Sequence, residues 1–376
     1  MYISPSPSLK LRDLFSSKVR KYSYPLVDRN RNFYCYVRGC GALFYFLKNW
    51  EGGKGTTALL PSYLCRDVLE TFQMAGVPIS FYGIDENCKF DIRELEEKLD
   101  GDVKILYLVH FFGFPQSLDK VLRLAREKNV VVVEDCAHAL FGKFGERWLG
   151  EFGDVAIFSL RKTLPIPDGG GLLINNDVIT RNNLEAASCG VQYFSGAVKL
   201  LIKRLMWRLQ CAPWHLPLVG PRILSFASAI DKRKTEVSLK RISSFSKHIF
   251  DHYDSEKVSL ARRENFIYYL KAITQCPAIR PLFHNLPPGV VPFSFPVLVR
   301  NRDQLVEGMK NEGVWLNRGF PESGGSESGD LLFGKLLPGT EFLARHLLEL
   351  PVHEDLDSNH LEKIMELLGA LVQDVG

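Results

Sequence analysis

The feature that most limits the fold is a pair of apolar runs, VKILYLVHFFGF (103–114) and VVVVEDCAHALFG (130–142), with one amphipathic stretch, SLDKVLRLAREKN (117–129), between them. Neither run alternates apolar with polar residues, so a strand made from either must be covered on both faces, as parallel strands wrapped by helices are. The intervening stretch carries Leu118, Val121, Leu122 and Leu124 at helical spacing, the stripe of a helix packed on such a sheet. The alternation extends both ways. Upstream, TTALLP (56–61) and VPISFYGI (77–84) read as strands, with helices over 66–75 and 91–99; downstream, VAIFSL (155–160) and GGGLLINN (169–176) add two short strands. Strands and helices repeating at this spacing predict an α/β domain on a mostly parallel sheet.

The chain has 376 residues, more than one small core requires, so a second unit is expected. Residues 1–30 are rich in Ser, Pro, Lys and Arg and read as an arm, either poorly ordered or pinned by a partner subunit. Residues 31–235 form the large α/β domain, and 236–376 a smaller α+β domain with helices over 236–275, 302–313 and 360–372 around the strand SFPVLV (294–299). Within the large domain, segment 186–230 has its own texture: no Asp or Glu occurs between Glu185 and Asp231, while Lys199, Lys203, Arg204, Arg208 and Arg222 interleave with apolar residues. As a helix, 198–209 places Val198, Leu201, Ile202, Leu205 and Leu209 near one side. That face suits packing on its own domain or on a partner subunit, with peripheral contact to an anionic membrane as the other reading.

A net charge of +4 is too small for a chain whose main work is coating nucleic acid, so no nucleic-acid partner is expected. Eight cysteines are scattered with no Cys-x-x-Cys pair and no Cys/His ligand spacing, which argues against zinc modules and disulfide scaffolds, and no metal is expected. The first residues contain no apolar signal-like core, and nowhere do 18 uncharged apolar residues run together. The expectation is a cytoplasmic protein with reduced thiols.

In open α/β sheets ligands bind beyond the carboxyl ends of the strands, and three such places carry chemistry. In Arg38-Gly39-Cys40-Gly41-Ala42 a strand gives way through small residues to a helix, a turn whose N–H groups can meet an anion or simply form a loop. Glu134, Asp135 and His138 end a deeply apolar strand, where a carboxylate needs a positive or protonated partner unless it only caps a helix. Arg161 and Lys162 follow VAIFS and precede a Pro- and Gly-rich loop; a lysine in an apolar setting becomes an amine nucleophile, whereas most lysines are merely solvated. GGKGTT (52–57) lacks phosphate-loop spacing. His110 and His353 read as structural histidines, with site lining as the alternative.

A strand-end carboxylate followed by a strand-end lysine and a Gly-rich turn is what a pyridoxal phosphate site demands. The run VEDCAHALFG, then GEFGDVAIFSLRKTLPIPDGGGLLINN, resembles the DegT-type nucleotide-sugar aminotransferases, a family of fold-type I pyridoxal-phosphate enzymes. RGCGAL, LLPSYLCRDVL, LVHFFGFPQSLDKV and LELPVHEDLDSNHLEKI resemble further family segments in the same order. The resemblance implies that Lys162 forms the aldimine with pyridoxal 5'-phosphate, that Asp135 pairs with the pyridine nitrogen, and that His138 lies against the ring or its 3′-oxygen. It also implies that Ser159 and the amides of Gly39 and Cys40 hold the phosphate. The implied activity is amine transfer from glutamate or glutamine to a keto sugar, nucleotide-linked, in a homodimer.

Three departures stand out. Ser159 and Lys162 lie closer together than in the family, Cys65 stands where many members have an aromatic ring, and the segment that reaches the partner's cofactor is not recognisable between 181 and 245. An altered reaction on the same fold, dehydratase-like, or a non-catalytic scaffold or membrane-surface protein of polysaccharide synthesis are the alternatives. Lys162 argues against the dehydratase, in which that lysine is typically a histidine.

Overall fold

The computed structural model describes residues 2–10, 13, 32–50, 52, 55–176, 200, 205, 239–320 and 337–374. Segment 198–209, apart from Leu200 and Leu205, lies outside the described residues, as does most of 1–30 and of 181–238.

The first unit runs β1 (Asn32–Tyr36), α1 (Gly39–Asn49), β2 (Thr57–Pro61), α2 (Arg66–Ala75), β3 (Ile79–Tyr82), α3 (Ile92–Lys98), β4 (Val103–Val109), α4 (Leu118–Glu127) and β5 (Val131–Asp135). A short hairpin of β6 (Lys143–Phe144) and β7 (Arg147–Trp148) precedes β8 (Val155–Phe158), the single-turn helix α5 (Leu160–Thr163) and β9 (Gly170–Ile174). Seven strands form one sheet in the order β1-β9-β8-β5-β4-β2-β3. From β3 to β8 every pairing is parallel, and β9 turns antiparallel to both β8 and β1. The mostly parallel sheet is therefore present, and the apolar runs are its central strands: β4 is buried from Ile105 onward and β5 from Val132 onward. The hairpin is not predicted by local patterning, since KFGERW has no apolar stripe.

Gly170 shows why the Gly-rich turn is needed. A Cβ there would sit 2.1 Å from the Arg38 carbonyl carbon and 2.3 Å from the Gly39 nitrogen, so only glycine lets β9 pass beneath the start of α1.

The second unit contains α6 (Ser244–His252), α7 (Ser255–Ala272), β10 (Arg280–Pro281), β11 (Ser294–Leu298), α8 (Arg302–Asn311), α9 (Pro338–His346), β12 (Leu347–Pro351) and α10 (Ser358–Asp374). Its three strands pair antiparallel in the order β10-β11-β12, and α7 and α8 pack on α10. This α+β layout is the one the sequence predicts.

The first residues differ from a loose arm. Ile3 N–H donates to Gly313 O and Trp315 N–H to Ile3 O, each at 2.9 Å. Ser4 O meets His353 Nε2 at 2.8 Å, and Ser8 donates from its N–H and hydroxyl to Asp355 Oδ2 at 2.7 and 2.6 Å. Lys10 forms an ion pair with the same carboxylate. Residues 2–10 are thus held by the chain's own second unit, and Tyr2, Ile3 and Leu9 are buried there. Burial of Asp355 opposes ionisation, but His353, Lys10 and the Ser8 hydroxyl outweigh it and hold the carboxyl down at about 2. No helix among the described residues is long and apolar enough to cross a membrane.

Candidate active site

Glu134 and Asp135 are consecutive residues of β5, and successive side chains of a strand leave it on opposite faces. One face becomes a cleft and the other a clamp. Asp135 Oδ2 accepts a hydrogen bond from the Tyr107 hydroxyl at 2.8 Å and Oδ1 one from the Ala137 N–H at 2.9 Å. Burial, followed by the Asp135 charge, pushes the Tyr107 hydroxyl well above its ordinary value, so it stays protonated and donates. Glu134, fully buried, accepts from Phe152 N–H (2.8 Å) and Gly153 N–H (2.6 Å) at Oε1, and from Gly150 N–H (3.1 Å) at Oε2. His110 Nε2 lies 2.9 Å from the same Oε2. Cys136 brings a third ligand-type atom within 4.8 Å of this pair, but the Glu134 lone pairs point at backbone donors and burial pushes the Cys136 thiol well up.

Lys162 reaches the cleft because β8 ends at Phe158 and the chain turns through Ser159 into α5. Leu160 N–H donates to Gly169 O at 3.1 Å and Lys162 N–H to Ser159 O at 3.2 Å, so the Gly-rich turn anchors the lysine's helix. The Lys162 Nζ stands 3.0 Å from His138 Nε2 and 5.9 Å from the centre of the Phe320 ring.

His138 is fixed from several sides. Its Nδ1 accepts the Phe112 N–H at 3.3 Å, and its ring lies parallel to Phe293 with centroids 4.3 Å apart and planes 6° from parallel. Burial first, and the Lys162 charge second, hold the imidazole pKa well below its ordinary value. A neutral ring has one acceptor nitrogen, and the Phe112 N–H at Nδ1 and the Lys162 amine at Nε2 both face it. Phe112, which donates to it, is a buried non-glycine residue in the left-handed region (φ 55°, ψ 18°). Such backbone strain persists only where its surroundings impose it.

At the cleft floor α1 begins after Arg38, whose side chain provides no cap, and its first turn holds no acid. Its leading N–H groups and the positive end of the helix dipole therefore lie at the cleft without a cap from Arg38, an arrangement that suits an anion.

Gly39, Cys40, Asp135, His138, Ser159 and Lys162 all line this one cleft, joined by Arg38, Cys65, Tyr107 and Phe320. His110 and His353 lie elsewhere, bonded to Glu134 and to Ser4. Burial pushes the Cys40 thiol up to about 12 and raises that of Cys65, so neither is a ready thiolate. Sequence reasoning missed Tyr107, Phe293 and Phe320. A lone hydroxyl inside the apolar run VKILYLV was the available signal for Tyr107; the two phenylalanines come from the second unit and carry no local signal.

Residues 31–210 match the family model of the DegT/DnrJ/EryC1/StrS aminotransferase family. The chain is 26% identical over 163 residues to a GDP-perosamine synthase of Escherichia coli O157:H7, a match covering 42% of this chain and 45% of that protein. It is 23% identical over 341 residues to dTDP-4-dehydro-2,3,6-trideoxy-D-glucose 4-aminotransferase of Saccharopolyspora spinosa, covering 87% and 81%. The first of these matches spans less than half of the relative. Among solved structures, Helicobacter pylori PseC, an aminotransferase involved in the biosynthesis of pseudoaminic acid, superposes with a TM-score of 0.74 at 14% identity over the whole of both chains. The pyridoxal-phosphate form of a putative sugar aminotransferase from Streptococcus pneumoniae gives 0.72, also at 14% identity and full coverage of both chains. The fold is therefore the one these aminotransferase structures share, and residues 31–210 are similar to the DegT/DnrJ/EryC1/StrS aminotransferase family.

Proposed function

We propose that this protein is a pyridoxal-phosphate-dependent aminotransferase that moves an amino group from glutamate or glutamine to a nucleotide-linked keto sugar. The observation that carries the reading is the convergence of a lysine amine, a buried carboxylate and an uncapped helix N-terminus in one cleft at the carboxyl edge of a parallel sheet. The names of the relatives, a perosamine synthase and a deoxysugar aminotransferase, support the sugar acceptor.

The donor set fits the cofactor. The amides of Gly39 and Cys40, with Ser159 opposite, would hold its phosphate. Each Asp135 oxygen has one hydrogen bond in the structure and retains acceptor capacity for a protonated ring nitrogen. When bound, the cofactor supplies an electron sink for the carbon that exchanges its amine. Asp135 keeps the ring nitrogen protonated, and Tyr107 keeps Asp135 oriented. His138 presents a flat neutral face to the ring. With the cofactor bound, Lys162 Nζ would be the base that moves a proton between the amine-bearing carbon and its neighbour. A homodimer, with 31–235 and 236–376 as large and small domains, completes the reading.

The test is visible absorbance after incubation with pyridoxal phosphate and gel filtration, for the protein and for Lys162→Ala, before and after adding glutamate or glutamine. A band that requires Lys162 and fades with the donor is expected. No band in either protein would favour the scaffold alternative.

A further inference from the structure

Arg262, on α7 in the second unit, is buried to 2% exposure and forms a buried ion pair with Glu354, whose Oε2 lies 3.8 Å from its Nε. Its Nη donors go to main-chain carbonyls. Nη1 reaches Phe293 O at 3.1 Å and Pro292 O at 3.4 Å, and Nη2 reaches Thr163 O at 3.3 Å. Burying a cation is costly even when a carboxylate balances its charge, as Glu354 does here, and the segments its fork joins give that cost a purpose.

Thr163 follows Lys162 and closes α5. Phe293 lays its ring on His138, and its N–H donates at 2.9 Å to Phe112 O, while the Phe112 N–H donates to His138 Nδ1. The contacts form a closed circuit: Lys162, Thr163, Arg262, Phe293, His138, and back to Lys162 at 3.0 Å. We propose that Arg262 is a positioning residue of the active site, its planar fork setting the Lys162–His138 pair by tying the lysine's helix to the strap that carries Phe293. Lysine cannot replace it, because a single ammonium on a flexible stem lacks a fork of fixed geometry spanning two segments. Misplacement by about 1 Å at a reacting group costs roughly 10²-fold in rate.

The consequence for rate rests on the aminotransferase reading; the positioning itself does not, so the experiment has two arms. In the first, the cofactor-free protein and Arg262→Lys are reductively methylated with formaldehyde and cyanoborohydride, and the labelling rate of Lys162 relative to the other lysines is read by peptide mass spectrometry. A change of at least about threefold in Lys162 alone is expected, with the far-UV spectrum and thermal midpoint showing a folded variant. An unchanged ratio overturns the proposal. Should Arg262→Lys not fold, Phe293→Leu cuts the same circuit one link further on, and an unchanged ratio there overturns the proposal equally. If both fold, their effects should be non-additive in the double variant; simple additivity counts against a shared circuit. In the second arm, with pyridoxal phosphate and glutamate, kcat should fall about 10- to 100-fold while KM for the donor changes little. If the wild type transfers no amine, the functional reading fails while the labelling ratio still decides the role of Arg262.

Discussion

The two faces of the sheet at the end of β5 hold two neighbouring acids in opposite conditions. Glu134 has three backbone N–H groups and His110 around it, so its chemistry is exhausted in holding the 150–153 loop. Asp135 has one hydrogen bond on each oxygen and opens onto the cleft shared with Lys162. The same residue class on the same strand is saturated on one face and opens onto the cleft on the other. The difference lies in how many donors surround the carboxylate, not in burial, since Asp135 is itself only 7% exposed.

Four substitutions test this contrast. Lys162→Ala, on the cleft face, should lower amine transfer by at least about 10⁴-fold with the unfolding midpoint in urea nearly unchanged; residual transfer close to wild type would remove the lysine from the mechanism. On the clamp face, Glu134→Ala strands three buried N–H donors and should cost about 4 kcal/mol of stability by urea unfolding. If that loss were below about 1 kcal/mol, the clamp would be an ornament. Asp135→Asn keeps shape but not charge, and should lower transfer roughly 10²- to 10³-fold with little change in stability. A large stability loss instead would make the two acids alike.

The smallest effect lies far from both faces. The Asp355 carboxyl is held at about 2, below its ordinary 3.8. A depressed acid contributes stability above its unfolded value and loses it as pH falls through the folded one. Asp355→Asn should therefore cost about 2 kcal/mol at neutral pH. The gap to wild type should close between pH about 4 and about 2, read from unfolding curves across that window. A gap that persists at pH 2 would mean that Ser8 and Lys10 hold Asp355 by something other than its charge.

The elements that were legible are those whose signal is local. The spacing predicts a helix over 66–75, and α2 occupies Arg66–Ala75; the apolar runs at 103 and 130 predict central strands, and β4 and β5 are those strands. The six candidate residues lie at strand ends or in the turns that follow them, and parallel strands deliver their carboxyl ends to one edge, so reading each end separately was enough to collect them. The arm is the counterexample. Its first ten residues look loose in composition, yet Asp355, nearly 350 positions away, accepts two hydrogen bonds from Ser8.

The sequence by itself determined the sheet, the face on which each acid of β5 lies, and the lysine at the end of β8, because period-two alternation and strand ends are properties of neighbouring residues. Only the tertiary structure decided which acid is saturated, where the His138 ring lies and what holds it. Those outcomes depend on Gly150, Phe112, Phe293 and Arg262 arriving from segments as far along the chain from the residues they serve as Phe293 is from His138. A hydrogen bond or a ring stack is a matter of a few ångströms, and distances of that size between remote segments exist only once the whole chain is packed.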